Sequence, residues 1–130
     1  MAWDGLNRRR FARIAYPCLV KVTINEQVQE MFLTHTENVS VGGIGIIVKK
    51  EIKLFSPVNV EVDLMDEANN ISARGRVVWV VRRKAIETHK PSFYDIGIEF
   101  ENLSSKDKGR LEAAITAFIS KGYKPLKPVY

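Results

Sequence analysis

From about residue 14 to residue 100 the sequence alternates between apolar and polar residues with a period of two, and nothing else in it restricts the fold so tightly. A period of two sends successive side chains to opposite faces of a β-strand, whereas a helix repeats at 3.6. Cys18, Val20, Val22 and Ile24 are apolar, with Lys21 and Thr23 polar between them. Asn25-Glu26 reads as a short turn, and a second strand over Gln27 to Thr36 would complete a hairpin. Ile44 to Val48 is short and β-branched and reads as a buried strand. Val58, Val60, Val62 and Leu64 alternate within Pro57–Leu64. Asp66 to Asn70 carries turn chemistry, because Asp and Asn bond their own backbone. Ile71–Val81 and Phe93–Phe100 are the last two expected strands, with Trp79 in phase with Val77 and Val81 and so expected to be buried.

The period changes once. Ser104 stands three residues before Asp107, an N-cap pattern, and Leu111, Ala114, Ile115, Phe118 and Ile119 then recur at the spacing of one helix face. Gly122 ends the helix, and Pro125 and Pro128 prevent its resumption. A lone amphipathic helix after six strands is expected to cap its own sheet. The inventory suggests a small barrel or sandwich. At 130 residues the chain is one domain, long enough to bury about two-thirds of its unfolded surface. Its expected divisions are an arginine-rich arm at 1–13, the β-barrel at 14–103, the helix at 104–122 and a tail at 123–130.

The chemistry-bearing residues exclude more than they offer. One cysteine forbids an internal disulfide, and Cys18 with His35 and His89 cannot supply a zinc-finger pattern. Cys18 sits within the alternation and reads as an inert core residue. There is no Gly-x-Ser-x-Gly motif, Walker loop or nucleophile–base pair, which argues against an enzyme. No apolar run reaches the roughly 18–20 residues of a membrane span. The first residues lack the apolar core of a signal peptide, so a cytoplasmic location is expected. The net charge of +5 and pI near 9.4 favour an anionic partner. Arg8, Arg9, Arg10 and Arg13 concentrate four guanidiniums before the first strand, and Arg82, Arg83 and Lys84 form a second group that reads equally well as solvated surface. Guanidinium adds planarity, forked donors and stacking to bare charge.

Two segments stand out, Asn7-Arg8-Arg9-Arg10-Phe11-Ala12-Arg13-Ile14 and Asn38-Val39-Ser40-Val41-Gly42-Gly43-Ile44-Gly45. The second lies between expected strands, where its amides would be accessible and its Asn and Ser side chains held at the sheet's edge. Arg9-x-x-x-Arg13 followed by Asn38-x-Ser40-x-x-Gly43 resembles the two-part signature of PilZ domains, bacterial receptors for cyclic di-GMP. Gly75-Arg76-Val77-Val78-Trp79 and Tyr94 to Phe100 are similar to that family's closing strands, so the likeness runs over about residues 7 to 120.

The resemblance implies a six-stranded antiparallel β-barrel, mainly β, with a flexible N-terminal arm and a C-terminal α-helix. It also implies a binding site for cyclic di-GMP without a metal. Arg9 and Arg13 would contact guanine and phosphate, since an arginine fork matches the O6 and N7 acceptors of guanine. Asn38 would meet the other edge of guanine, Ser40 would hydrogen-bond a base or phosphate, and Gly43, with Gly42 beside it, would allow close approach. Arg8, a long polar residue immediately before the motif, goes in the family with two ligands per chain. Arg10 would either assist or only be solvated, two readings held equal, and Trp79, if not simply buried, would wall the site. Ligand would order the arm against the barrel and present a surface to a downstream protein. Two alternatives share the composition: a basic barrel that binds single-stranded nucleic acid, and a PilZ-like adaptor that needs no ligand. Against the first, the basic residues do not alternate with aromatics along the strands. The sequence leaves the oligomeric state, monomer or dimer, open.

Overall fold

The computed structural model describes residues 18–24, 30–64, 69–83 and 93–122. Arg8, Arg9, Arg10 and Arg13 lie outside the described residues, as do Lys84, His89 and the 123–130 tail. Six strands appear where the alternation calls for them: β1 (Leu19–Ile24), β2 (Glu30–Val39), β3 (Gly43–Val48), β4 (Pro57–Asp63), β5 (Ile71–Arg83) and β6 (Phe93–Phe100), followed by helix α1 (Ser105–Ser120). They close into an antiparallel barrel in the order β1-β2-β3-β6-β5-β4, with β4 returning to β1.

Register follows burial. Val22 stands between Phe32 of β2 and Val60 of β4, and Ile46 faces Ile96. Val20, Val22, Val39, Ile44, Ile46, Val62, Val77, Ile96 and Leu111 are fully enclosed in one core. Each such aliphatic side chain contributes about 1.5–3 kcal/mol by leaving water. A one-residue slip in any strand would turn its whole apolar set outward.

The helix starts as its capping residue requires. The Asp107 N–H donates to Ser104 Oγ at 3.1 Å, Ser104 is extended, and Gly122 at φ 101° ends the last turn. Leu111, Ile115 and Phe118 are buried and Ala114 packs partly against the core. Ile119, expected on the same face, is 42% exposed instead.

The strands depart from expectation at two bulges. Within the described residues β2 covers Glu30–Val39 and runs past its expected end at Thr36, so Asn38 is a strand residue, with the register shifting between Thr36 and Asn38; Gln27 lies outside the described residues. β5 continues to Arg83, and its register against β6 shifts between Val77 and Trp79. The extra residue there, Val78, breaks the phase. Trp79 is therefore half-buried rather than enclosed, and Val81 is 52% exposed.

Candidate functional site

Both bulges flank a single transverse row across four strands. Asn38 of β2 pairs with Gly45 of β3, Gly45 with Gly97 of β6, and Gly97 with Trp79 of β5. Ile44 and Ile46 point into the core, as do Ile96 and Ile98, so the glycines between them face outward. Both glycines are nevertheless buried, because large side chains lie over them. A Cβ on Gly97 would stand 2.1 Å from the Trp79 Nε1, and a Cβ on Gly45 would stand 2.8 Å from the Asn38 amide nitrogen. The outer wall thus carries an indole and a carboxamide lying over a two-glycine trough. Glycine inside a strand marks a close approach of this kind.

The Asn38 amide is incompletely satisfied. Its Oδ1 is buried and accepts no hydrogen bond among the described residues. A buried acceptor without a donor costs about 1–3 kcal/mol. Two residues back, the chain entry into the barrel is fastened: the Cys18 N–H donates to Thr36 Oγ1 at 2.9 Å, and the Thr36 N–H donates to the Cys18 carbonyl at 2.8 Å. The described chain therefore enters the barrel at Cys18, beside the bulge that carries Asn38. Cys18 is fully buried, and burial pushes its thiol up to about 11; the nearby Asp63 charge acts the same way and the Thr36 hydrogen bond against it.

Ser40 is buried and already committed. Its Oγ accepts from the Gly42 and Gly43 N–H groups, each at 3.2 Å, and donates to the Gly43 carbonyl at 3.3 Å; its own N–H donates to that carbonyl at 2.9 Å. The loop amides expected to be accessible are thus bound within the turn. The Phe100 N–H donates to the Gly42 carbonyl at 2.9 Å, which ties the loop tip to the end of β6. The close approach at Gly43 comes from the neighbouring strand, since a Cβ there would lie 2.1 Å from the Ile98 carbonyl oxygen.

Asn38 and Trp79 thus lie on one row, while Ser40, Gly42 and Gly43 build the turn beside it. Gly45 and Gly97 escaped the sequence reading: a glycine inside each expected strand was visible, but not that the two strands lie side by side with the glycines paired. Arg83 of the second basic group pairs with the buried Asp95 carboxylate. Among the described residues no cluster of three or more His, Cys, Asp or Glu side chains is able to hold a metal ion. Among the described residues no helix is long and apolar enough to cross a membrane.

The sequence matches the family model described as "PilZ domain" over residues 7–117, which includes both signature segments. The chain belongs to the PilZ family. Comparison with curated protein sequences gave no match. Solved PilZ structures share the fold. The PilZ domain of Escherichia coli YcgR, solved with cyclic di-GMP, superposes with a TM-score of 0.67 at 18% identity, over 88% of this chain and 93% of that one. The K. pneumonia MrkH complex with cyclic di-GMP gives 0.68 at 20% identity, over 88% of this chain and 53% of that one. The Bacillus subtilis inhibitor of motility MotI gives 0.68 at 17% identity, over 88% and 53%. The chain spans about half the length of MotI and MrkH, and nearly the full length of the YcgR domain.

Proposed function

We propose that this PilZ domain is a receptor for cyclic di-GMP, with the row from Asn38 to Trp79 as its barrel-side binding surface and the arginine arm as its other half. The observation that carries the reading is the orphaned Asn38 Oδ1. It needs a donor, and the N1–H and N2–H groups of guanine supply donors on one edge. The cyclic di-GMP complexes of YcgR and MrkH support the same ligand.

Arg13 lies five residues before Cys18 and Arg9 nine. Even a fully extended chain carries these residues no more than about 17 Å and about 31 Å from the barrel entry. Both guanidiniums are therefore within reach of a ligand on the row. There they would fork onto the O6 and N7 acceptors and neutralise phosphate, while the Trp79 indole offers a face to a purine. Ser40, Gly42 and Gly43 serve by holding the turn that fixes Asn38. Arg8 and Arg10 add charge for a second bound nucleotide. Ordering the arm against the barrel creates the surface a downstream protein reads, and its entropy is charged against affinity. The domain acts by binding rather than by catalysis.

The test is a calorimetric titration with cyclic di-GMP at two salt concentrations. Saturable binding with two ligands per chain and a shallow salt slope is expected, with binding lost in Arg9→Ala and Arg13→Ala and reduced in Asn38→Ala. An absence of heat, or a steep slope with single-stranded RNA in place of the dinucleotide, would overturn the reading in favour of an adaptor or a nucleic-acid binder.

A further inference from the structure

The loop 49–56 joins β3 to β4 at the end of the barrel where Ile24 pairs with Glu30 and Val58. The described chain enters at the other end, where Leu19 pairs with His35 and Asp63. The loop closes in a tight turn, Ser56 N–H on the Lys53 carbonyl, so Leu54 and Phe55 are its two central, outermost residues. They are 49% and 60% exposed. Phe55 holds a positive φ that such turns ordinarily give to glycine or asparagine. The apex is nonetheless firmly held. Buried Ile52 anchors one side, and the other is bonded to β5, Phe55 N–H to the Val77 carbonyl at 2.8 Å and Val77 N–H to the Ser56 carbonyl at 3.0 Å. A bulky aromatic kept in a costly conformation and held out of the core is an outlier that points to a contact surface.

We propose that this apex is a membrane-docking wedge: Leu54 and Phe55 enter the headgroup region of an anionic bilayer, and the loop lysines bind its surface. Lys53 directly precedes the pair, and Lys49 and Lys50 begin the loop; all three are exposed, and Glu51 is the one acidic residue of the loop. Lys50 pairs with Glu30, but its side chain stays 62% exposed, and a surface pair of this kind holds weakly. A basic rim around an apolar tip complements an anionic lipid surface. The ammonium heads lie among the phosphates, while the lysine stems and the tip reach toward the acyl boundary. The shape favours lipid over a protein partner. Two side chains projecting from a convex turn need a matching cavity in a protein, whereas a bilayer interface yields to them without one. Because the turn is already fixed, insertion costs little ordering of the chain. The wedge is separate from the nucleotide site, since Asn38 lies toward the opposite end of β2 from Glu30.

Co-sedimentation of the full chain with sucrose-loaded vesicles, in the absence of nucleotide, tests this. Vesicles of equimolar phosphatidylglycerol and phosphatidylcholine should bind it, pure phosphatidylcholine far less, and added salt should weaken the binding. Leu54→Ser and Phe55→Gly should each lower the partition coefficient at least about ten-fold. Phe55→Gly also relieves the positive φ, so its loss of binding reflects the missing ring and not a lost fold. Lys53→Glu should weaken binding to the anionic vesicles at least about ten-fold. Leu33→Ser, on the side of the barrel and 69% exposed, should leave it unchanged. A polarity-sensitive dye on Phe55→Cys should shift to the blue on anionic vesicles and one on Leu33→Cys should not, with the buried Cys18 unlabelled in both. A chain that stays in the supernatant would overturn the proposal and leave the apex to a protein partner. Binding that survives both Leu54→Ser and Phe55→Gly, as the N-terminal arginines alone would give, would overturn it too. So would equal binding to neutral vesicles, or equal dye shifts at the two positions.

Discussion

The indole of Trp79 occupies the space that any side chain at position 97 would need, its Nε1 lying 2.1 Å from the Cβ position of Gly97. Three glycines in the wall are held to glycine by three different obstacles, which predicts a graded series. Gly43→Ala drives a methyl group to 2.1 Å from the Ile98 carbonyl oxygen, a backbone atom that yields only if β3 and β6 part. It should cost the most, about 3 kcal/mol or more in denaturant unfolding. Gly97→Ala must push aside a bulky ring and should cost about 1–3 kcal/mol. Gly45→Ala meets only the swinging amide of Asn38, at 2.8 Å, and should cost less than about 1 kcal/mol. In a Trp3→Phe background, Gly97→Ala should also shift the Trp79 emission. A reversed order between Gly43 and Gly45 would show that the row is looser than its geometry indicates.

Ser40 makes a separate case, because its hydroxyl serves the turn. Ser40→Ala strands the Gly42 and Gly43 N–H groups inside a buried loop. Thermal unfolding should register a loss of about 1–3 kcal/mol without any ligand present. Weaker cyclic di-GMP binding should follow, though less weakened than in Arg9→Ala or Arg13→Ala. A variant as stable as the parent would mean the turn is held by the glycine backbone alone.

How far these features were legible in the sequence depends on whether they are local. β6 and the Ser104 cap were legible to the residue, because apolar spacing and capping chemistry are properties of a few adjacent side chains. Val78 illustrates the opposite case. Nothing within Arg76 to Val81 announces an extra residue there, since a bulge exists only relative to the partner strand some 20 residues away. The phase of Trp79 and Val81 was therefore misread. The spacing puts Asn38 in a loop for a similar reason: Asn is a turn residue by type, and only its pairing with Gly45 of β3, past a bulge, makes it strand. The signature residues were legible as a set of types and spacings, but the trough of Gly45 and Gly97 depends on two strands 50 residues apart lying side by side.

Two positions carry residues less stable than available substitutes. Phe55 has a φ of 67° in the tight turn closed by the Ser56 N–H on the Lys53 carbonyl at 3.1 Å, and its ring is 60% exposed. A left-handed backbone costs a non-glycine residue roughly 1–2 kcal/mol, so Phe55→Gly should gain about 1 kcal/mol after the entropy of the added glycine. Gly109, inside α1, has no neighbour within 4 Å of its Cβ position and a negative φ. Gly109→Ala should gain up to about 1 kcal/mol. Chemical denaturation of each variant checks both; a loss at Phe55 would reveal packing by its ring that outweighs the backbone strain.

Cys18 predicts how stability responds to alkali. Its thiol is buried to 0% exposure and titrates at about 11, against an ordinary value of 9.0. Below pH 9 the thiol is protonated whether the chain is folded or unfolded, and contributes nothing to pH dependence. Between about 9 and 11 the unfolded chain releases this proton and the folded chain keeps it, so ionisation stabilises the unfolded state. Stability should therefore fall through that window by about 1.4 kcal/mol per pH unit from this group. Tyrosines and lysines titrate in the same range, so the useful quantity is the difference from Cys18→Ala, which lacks the thiol but keeps the rest. That variant should be less stable at neutral pH, since it leaves a small cavity beside Thr36, and the gap should narrow steadily from pH 9 to 11. A parallel pair of curves would mean that the folded chain ionises Cys18 as readily as the unfolded one. Alkylation gives the kinetic counterpart: the native chain should resist iodoacetamide at pH 8, and urea should expose one reactive thiol as the barrel opens.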